Sequence, residues 1–263
     1  LNNNPIGILD SGLGGLTVLK EIGVQLPNES TVYIGDSQNA PYGSKTKEEI
    51  YQLAKRLVEF LLENQVKLIV VACNTITVSC ISALRDAYPT IPIVGTVPVI
   101  KTAGTLTKNR RIGILSTTRT ATSAYQKQLI EQFASDCQVI SHGTDLLVPL
   151  IEKGETKSEK MIHVLERELA IFQKGNVDVL VLGSTHFPFL RDQIQEMLGP
   201  KVSVIDSGTA IARRVKWILE NNNIVTTRPA PEYLFYTTGN TEIAKKLLAG
   251  TIAEGNTFSL VYL

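Results

Sequence analysis

Short apolar runs rich in β-branched residues recur along the chain, and the stretches between them carry apolar positions at spacings of three and four. Residues 6–9, 31–35 and 68–72 read as strands, because short, mainly apolar runs bounded by polar or glycine-rich turns suit a strand buried on both faces. Residues 13–22 read as a helix. Thr46-Lys47-Glu48-Glu49 has the spacing of a capping box, in which threonine and glutamate side chains satisfy each other's backbone N–H groups. From that start Ile50, Leu53, Ala54, Leu57 and Leu61 fall on one helical face. The later half alternates in the same way: strand 112–115, helix near 122–135, strand near 137–141, helix 158–173, strand 178–182, and a helix over 188–198 opened by Pro188 and closed by Gly199-Pro200. Strands separated by helices pair in parallel, with helices covering both faces of the sheet.

The alternation is also a repetition. Ile6-Gly7-Ile8-Leu9-Asp10-Ser11 returns as Ile112-Gly113-Ile114-Leu115-Ser116-Thr117. Leu68-Ile-Val-Val-Ala-Cys73-Asn74-Thr75 returns as Val179-Leu-Val-Leu-Gly-Ser184-Thr185-His186, and the segment at 91–96 has a looser counterpart at 202–207. All three echoes lie about 110 residues apart, which predicts two copies of one supersecondary plan. The fold class expected is therefore α/β, with two similar parallel-sheet lobes related by a pseudo-twofold repeat and the active site between them. Residues 1–97 with 207–263 form the first lobe in this reading and 98–206 the second. The tail past Ile224, with strands at 232–236 and 258–262 around a helix at 242–248, is expected to return to the first lobe. Asn221-Asn222-Asn223 and residues 226–231 come nearest to a linker.

Composition narrows the function. With 263 residues, 43% hydrophobic and 19% charged, the chain has the make-up of a water-soluble globular protein with more than one core. Its 26 Lys and Arg balance 25 Asp and Glu, so no long-range field recruits nucleic acid or an anionic membrane. No apolar run approaches the ~20 residues of a membrane span, and the first residues lack the pattern of a signal peptide. Three cysteines without framework spacing fit a reducing compartment, and the expected location is the cytoplasm. The three histidines and three cysteines show no ligand spacing, so neither a metal nor a cofactor is expected.

Chemistry concentrates where parallel strands end, because the strand-to-helix loops gather there. Those ends carry Asp10-Ser11, Asp36-Ser37 followed by Pro41-Tyr42-Gly43, Cys73-Asn74-Thr75, Thr117-Thr118 and Ser184-Thr185-His186. A pseudo-twofold sets Cys73 and Ser184 on opposite sides of one bound molecule, and two opposed proton-handling groups suit inversion at a carbon. Direct transfer from both faces would separate the two side chains by roughly 7 Å. Asp10 is placed to attract an ammonium or hold the thiol's proton, and His186 to assist proton traffic near neutral pH. Thr117 and Thr120 line the corresponding loop of the second lobe by repeat position. Cys80 and Cys137 lack such company and read as packing residues.

At these residues the chain resembles the glutamate racemases, within the cofactor-independent aspartate/glutamate racemase family. The shared marks are IGILDSGLGG at the opening, DSQNAPYG at 36–43, ACNT at 72–75, LVPLIEKGE at 147–155 and the turn Gly183-Ser184-Thr185-His186-Phe187-Pro188. The resemblance implies a two-base mechanism in which one cysteine thiolate removes the α-proton of glutamate while a second cysteine protonates the opposite face, supplying D-glutamate for peptidoglycan. It implies Asn74, Thr75 and Thr185 around the amino and α-carboxylate groups. It places Ser11 and the Pro41-Tyr42-Gly43 loop at the side-chain carboxylate, and Glu152 in support of His186. Backbone N–H groups of glycine-containing turns and hydroxyls can bind carboxylates without a bulky cation.

One position departs from the family pattern, which has a second cysteine where this chain has Ser184. A hydroxyl is several pKa units less acidic than a thiol, and each unit is worth about 1.36 kcal/mol in forming the basic anion. Either the serine was put in place of a cysteine to hold substrate without turnover, or it marks a member with altered chemistry. The rival readings are an aspartate racemase, a one-thiol lyase or decarboxylase of the same superfamily, and a non-catalytic glutamate-binding regulator. Gly12-Leu-Gly14-Gly15 after a strand resembles a dinucleotide fingerprint, but Thr17 stands at its third glycine and Asp10 would oppose a pyrophosphate. The partner expected is small-molecule glutamate, with homodimerisation as the default assembly.

Overall fold

The computed structural model describes residues 1–228, 230–249 and 258–263. The first sheet draws on both ends of the chain: β1 (Ile6–Asp10), β2 (Thr31–Gly35), β3 (Leu68–Val71), β4 (Ile93–Gly95), and, from the tail, β9 (Tyr233–Thr237) and β10 (Phe258–Leu260). The second sheet comprises β5 (Arg111–Ser116), β6 (Gln138–Gly143), β7 (Val179–Gly183) and β8 (Ser203–Asp206). Eleven described helices connect the strands: α1 (Leu16–Gln25), α2 (Lys47–Glu63), α3 (Asn74–Ala87), α4 (Ile100–Leu106), α5 (Thr118–Ala121), α6 (Ala124–Phe133), α7 (Leu147–Glu152), α8 (Glu159–Lys174), α9 (Arg191–Leu198), α10 (Gly208–Asn221) and α11 (Thr241–Leu248).

The strand orders are β10-β9-β2-β1-β3-β4 and β6-β5-β7-β8, and every pairing is parallel. Four strands of the first sheet thus have the order of the whole second sheet. The register repeats as well, with Ile6 opposite Leu68 in one sheet and Ile112 opposite Val179 in the other. β9 pairs along the outer edge of β2, so the tail returns to the first sheet. The first-lobe span of 207–263 read from the sequence includes residues 229 and 250–257, which lie outside the described residues.

Helices cover both faces of each sheet, as strands without polar alternation require. Ile8 and Val70 pack with Leu19 of α1 and Ala212 and Val215 of α10, while Leu9 and Val71 face Leu57 of α2 and Ile76 of α3. In the second sheet Leu115 and Leu180 pack on Leu165 and Leu169 of α8, and Ile112 and Val181 pack on Ile100 and Ala103 of α4. Each Val, Leu or Ile among them taken fully out of water contributes about 1.5–3 kcal/mol. The capping box forms: Thr46 Oγ1 accepts from Glu49 N at 3.2 Å and Glu49 Oε2 accepts from Thr46 N at 2.7 Å.

Several element bounds differ from expectation. The first helix begins at Leu16 rather than residue 13, because Gly12–Gly15 form a turn that brings the second lobe close. The helix expected over 188–198 splits into a 3₁₀ turn (Phe187–Leu190) and α9, and it ends at Gly199 with φ of +79°. Four helices, α4, α5, α7 and α10, lie outside the elements expected from the sequence, although α10 carries the apolar spacing Ile211, Ala212, Val215, Ile218 and Leu219.

Candidate active site

The strand ends of both sheets meet at one pocket. Cys73 follows β3 and caps α3, its Sγ accepting from Ile76 N at 3.5 Å and lying 3.2 Å from Ser11 Oγ. In the second copy Ser184 follows β7 and its Oγ accepts from His186 N at 3.4 Å. The thiol and the hydroxyl are 4% and 6% exposed, and both residues line the same cavity. The first sheet's loops also contribute Ser11, Pro41, Tyr42, Gly43, Asn74 and Thr75 to its wall. The second sheet's side contributes Thr117, Val148, Thr185 and His186. The cavity volume is about 10 Å³, so the pocket is tightly closed. A cavity of about 330 Å³ between residues 94–102, Phe133 and Arg214 is larger and mainly apolar, and it holds none of these groups.

Three of the residues singled out from sequence stand one layer behind the wall. Asp10 is fully buried; its carboxylate accepts from Gly15 N at 2.9 Å and from Thr185 Oγ1 at 3.3 Å. Burial pushes its pKa up to about 6, against the opposing pull of His186. Glu152, at the end of α7, accepts from Leu13 N at 2.7 Å and lies 2.5 Å from His186 Nε2. Burial works against both charges of this pair. Their mutual hydrogen bond and attraction outweigh it, holding Glu152 below the usual carboxylate value and His186 above the usual imidazole value. Thr120 lies behind Thr117, which donates to it at 3.0 Å, and does not reach the cavity.

Burial, reinforced by Asp10, pushes the Cys73 thiol up to about 12. In the closed pocket the group is a thiol at neutral pH, and a thiolate there needs a cation beside it. Asn74 Nδ2 donates to Thr96 O at 3.5 Å, while Asn74 Oδ1 is buried without a partner, an acceptor suited to an ammonium. Thr75 Oγ1 and Thr117 Oγ1, 2.9 Å apart, join the two sides of the pocket.

The glycine-rich turn after β1 has a steric purpose. A Cβ at Gly12 would collide with Glu152 Oε1, and one at Gly14 with His186 Nδ1. With Leu13 N given to Glu152 and Gly15 N to Asp10, two of the turn's N–H groups are already committed, which leaves a poor phosphate cradle. Val148 is the one wall residue that sequence reasoning missed. It lies in the run at 147–155 from which only Glu152 was drawn, and an apolar residue on a helix carries no chemical signal of its own. Cys80 donates to Ile76 O inside its own helix, and Cys137 sits beside Asp136 away from the pocket. Among the described residues no group of three His, Cys, Asp or Glu is placed to hold a metal, and no helix is long and apolar enough to cross a membrane.

Paired parallel sheets whose strand ends bring a thiol, a hydroxyl and a buried histidine–carboxylate pair to one closed pocket define an enzyme built to move protons at carbon. The family model described as Asp/Glu/Hydantoin racemase matches residues 6–215, and the chain belongs to that family. A glutamate racemase from Pseudomonas putida is 40% identical over 244 residues, covering 93% of this chain and 92% of its own. Among solved structures, a glutamate racemase from Bacillus anthracis superposes with a TM-score of 0.87 at 32% identity, covering 100% of this chain and 99% of that one. One from Francisella tularensis, in complex with D-glutamate, gives 0.84 at 30% identity and covers 100% and 98%.

Proposed function

We propose that the chain interconverts L- and D-glutamate by proton transfer at the α-carbon, with Cys73 on one face and Ser184 on the other. The observation that carries this reading is that the two residues occupy equivalent strand ends of a repeated fold and line one cavity. The glutamate racemases that resemble the chain over more than nine-tenths of its length support the substrate. In this reading residues 1–97 with 207–263 and residues 98–206 are the two jaws, which part to admit glutamate.

The substrate supplies the cation that the pocket lacks. Its ammonium, held by the free Asn74 Oδ1 with the buried Asp10 carboxylate behind the wall adding a long-range attraction, offsets the charge of a Cys73 thiolate and brings the thiol down from its resting value. Thr75 and Thr185 receive the α-carboxylate, and Ser11 with the Tyr42-Gly43 loop receives the side-chain carboxylate. Cys73 then removes the α-proton of one enantiomer and Ser184 returns one from the other face, with His186 and Glu152 behind it. A serine gives up a proton far less readily than a cysteine; a gap of about five pKa units costs about 7 kcal/mol. The second transfer is therefore the slow one. D-Glutamate made in this way would serve peptidoglycan synthesis, by a cytoplasmic enzyme acting as a homodimer; the balanced charge of the chain is in keeping with that setting.

The test is the loss of optical activity of L- and D-glutamate followed by circular dichroism for this chain and for Ser184→Cys. The cysteine variant is expected to racemise both enantiomers at least a hundredfold faster than its parent. Equal rates would remove Ser184 from the mechanism, and inactivity of both proteins would overturn the glutamate reading.

A further inference from the structure

Among the described residues the two tail strands have no counterpart in the second sheet, and the end of β9 meets the loop that leads to the pocket. The meeting point is Asp36, 3% exposed, at the end of β2. Its carboxylate accepts from Tyr42 Oη at 2.6 Å, from Asn39 Nδ2 at 3.0 Å to each oxygen, and from Thr238 Oγ1 at 2.7 Å. Thr238 also accepts from Gln38 N at 3.0 Å and donates its own N–H to Gly35 O at 3.1 Å. Gly239 follows so closely against Ser37 that a Cβ there would lie 2.5 Å from Ser37 Cβ. A residue some 200 positions downstream is thus wired through one buried carboxylate to a residue of the pocket wall.

We propose that Asp36 and Thr238 are positioning residues for substrate: Thr238 fixes the Asp36 carboxylate, and Asp36 fixes Tyr42 so that the Tyr42-Gly43 loop is preformed for the side-chain carboxylate of glutamate. This rests on the glutamate reading above. The direction of the hydrogen bonds is what makes the inference specific. The single phenolic proton of Tyr42 goes to Asp36, so the ring is an anchor rather than a donor to substrate, and the loop's main-chain N–H groups are left for the ligand. Burial and the neighbouring carboxylate hold the Tyr42 phenol well above its ordinary value, which keeps that proton in place. A buried carboxylate served by several donors is oriented by all of them, and removing one lets it rotate and release another. The tail is then the part of the fold that lends the first jaw a rigid carboxylate site.

The experiment measures binding of D- and L-glutamate to this chain by titration calorimetry, and KM and kcat in the Ser184→Cys background. The variants are Thr238→Val, Thr238→Ser, Tyr42→Phe and the Thr238→Val/Tyr42→Phe pair, with Thr238→Ala used if valine prevents folding. Thr238→Val is expected to weaken binding and raise KM about tenfold with kcat changed less than twofold, and Thr238→Ser to restore both. In the Tyr42→Phe background the Thr238 change should add less than twofold, since its effect passes through the phenol. Unchanged affinity in Thr238→Val, a fall in kcat at constant KM, or a full tenfold effect without the phenol would each overturn the inference. A parent chain that binds neither enantiomer overturns the glutamate reading and this inference together, whereas a parent that binds beside an unaffected Thr238→Val overturns this inference alone.

Discussion

Glu152→Gln keeps the shape of the side chain and its Oε1 acceptor for Leu13 N, removes the charge that faces His186 at 2.5 Å, and puts an amide NH2 in place of the buried Oε2, a cost that does not vary with pH. In the native pair His186 is held above its ordinary value of 6.5 and Glu152 below 4.5. A raised histidine contributes stability that is fully present below the unfolded pKa and is lost as pH rises through the folded value. A depressed carboxylate contributes stability that is present above 4.5 and is lost as pH falls through its folded value. Both contributions are therefore complete between about pH 4.5 and 6.5. Without the carboxylate, burial becomes the dominant influence on His186 and drives it below 6.5, so in the variant acid works against the fold. The imidazole can escape by losing its proton, which caps the loss below the 3–5 kcal/mol of an inescapable buried charge. We expect a deficit of about 3 kcal/mol at pH 5.5 and about 1 kcal/mol at pH 8.5, the latter reflecting a neutral hydrogen bond. At about 2–4 °C per kcal/mol for a chain of this size, thermal unfolding followed by circular dichroism should show Tm shifts of about 6–12 °C and about 2–4 °C. Equal shifts at the two pH values, or a larger one at pH 8.5, would refute the assignment of an ionised His186–Glu152 pair.

Lys67 and Glu29 are 2.6 Å apart with both side chains essentially sealed from solvent, so Lys67→Met should destabilise by about 3–5 kcal/mol in thermal unfolding, and Lys67→Met/Glu29→Met should recover most of the loss. Gly43 lines the pocket and Gly43→Ala drives a Cβ into Asp145 Oδ1; glutamate affinity by calorimetry should fall at least tenfold and be partly regained in Gly43→Ala/Asp145→Ala. With its thiol pushed up to about 12, Cys73 carries a thiolate fraction of about 1 in 10⁴ at pH 8. Iodoacetamide should then modify the partly exposed Cys137 well before Cys73, as read by peptide mass spectrometry.

What was legible in the sequence follows from how local each signal is. The strands at 6–10, 68–71 and 179–183 are continuous apolar runs, and the echo between copies gave their partnership, because a repeated pattern repeats its register. Cys73 and Ser184 were visible as polar residues at the ends of such runs. Residues whose role depends on the other jaw were harder to see. Thr120 belongs to the right loop yet points behind Thr117, and nothing in its neighbours along the chain distinguishes it from a wall residue. Val148 walls the pocket only because α7 is placed there by packing on Leu165 and Phe187. Asp36 was noticed as a strand-end acid, but its partner Thr238 lies some 200 residues away and no periodicity connects them. The short helices α4 and α5 escaped because seven and four residues give too few turns for an apolar stripe.

The proposed mechanism has Cys73 and Ser184 address opposite faces of the same α-carbon with very unequal competence. It is tested most directly by incubating this chain separately with L- and D-glutamate in deuterated water and following loss of the α-proton by NMR. Deuterium uptake is expected from one enantiomer only, with configuration retained, because Cys73 can remove and return a proton on its own face while Ser184 can scarcely abstract one on the other. Uptake from both enantiomers at similar rates, or from neither, would contradict it.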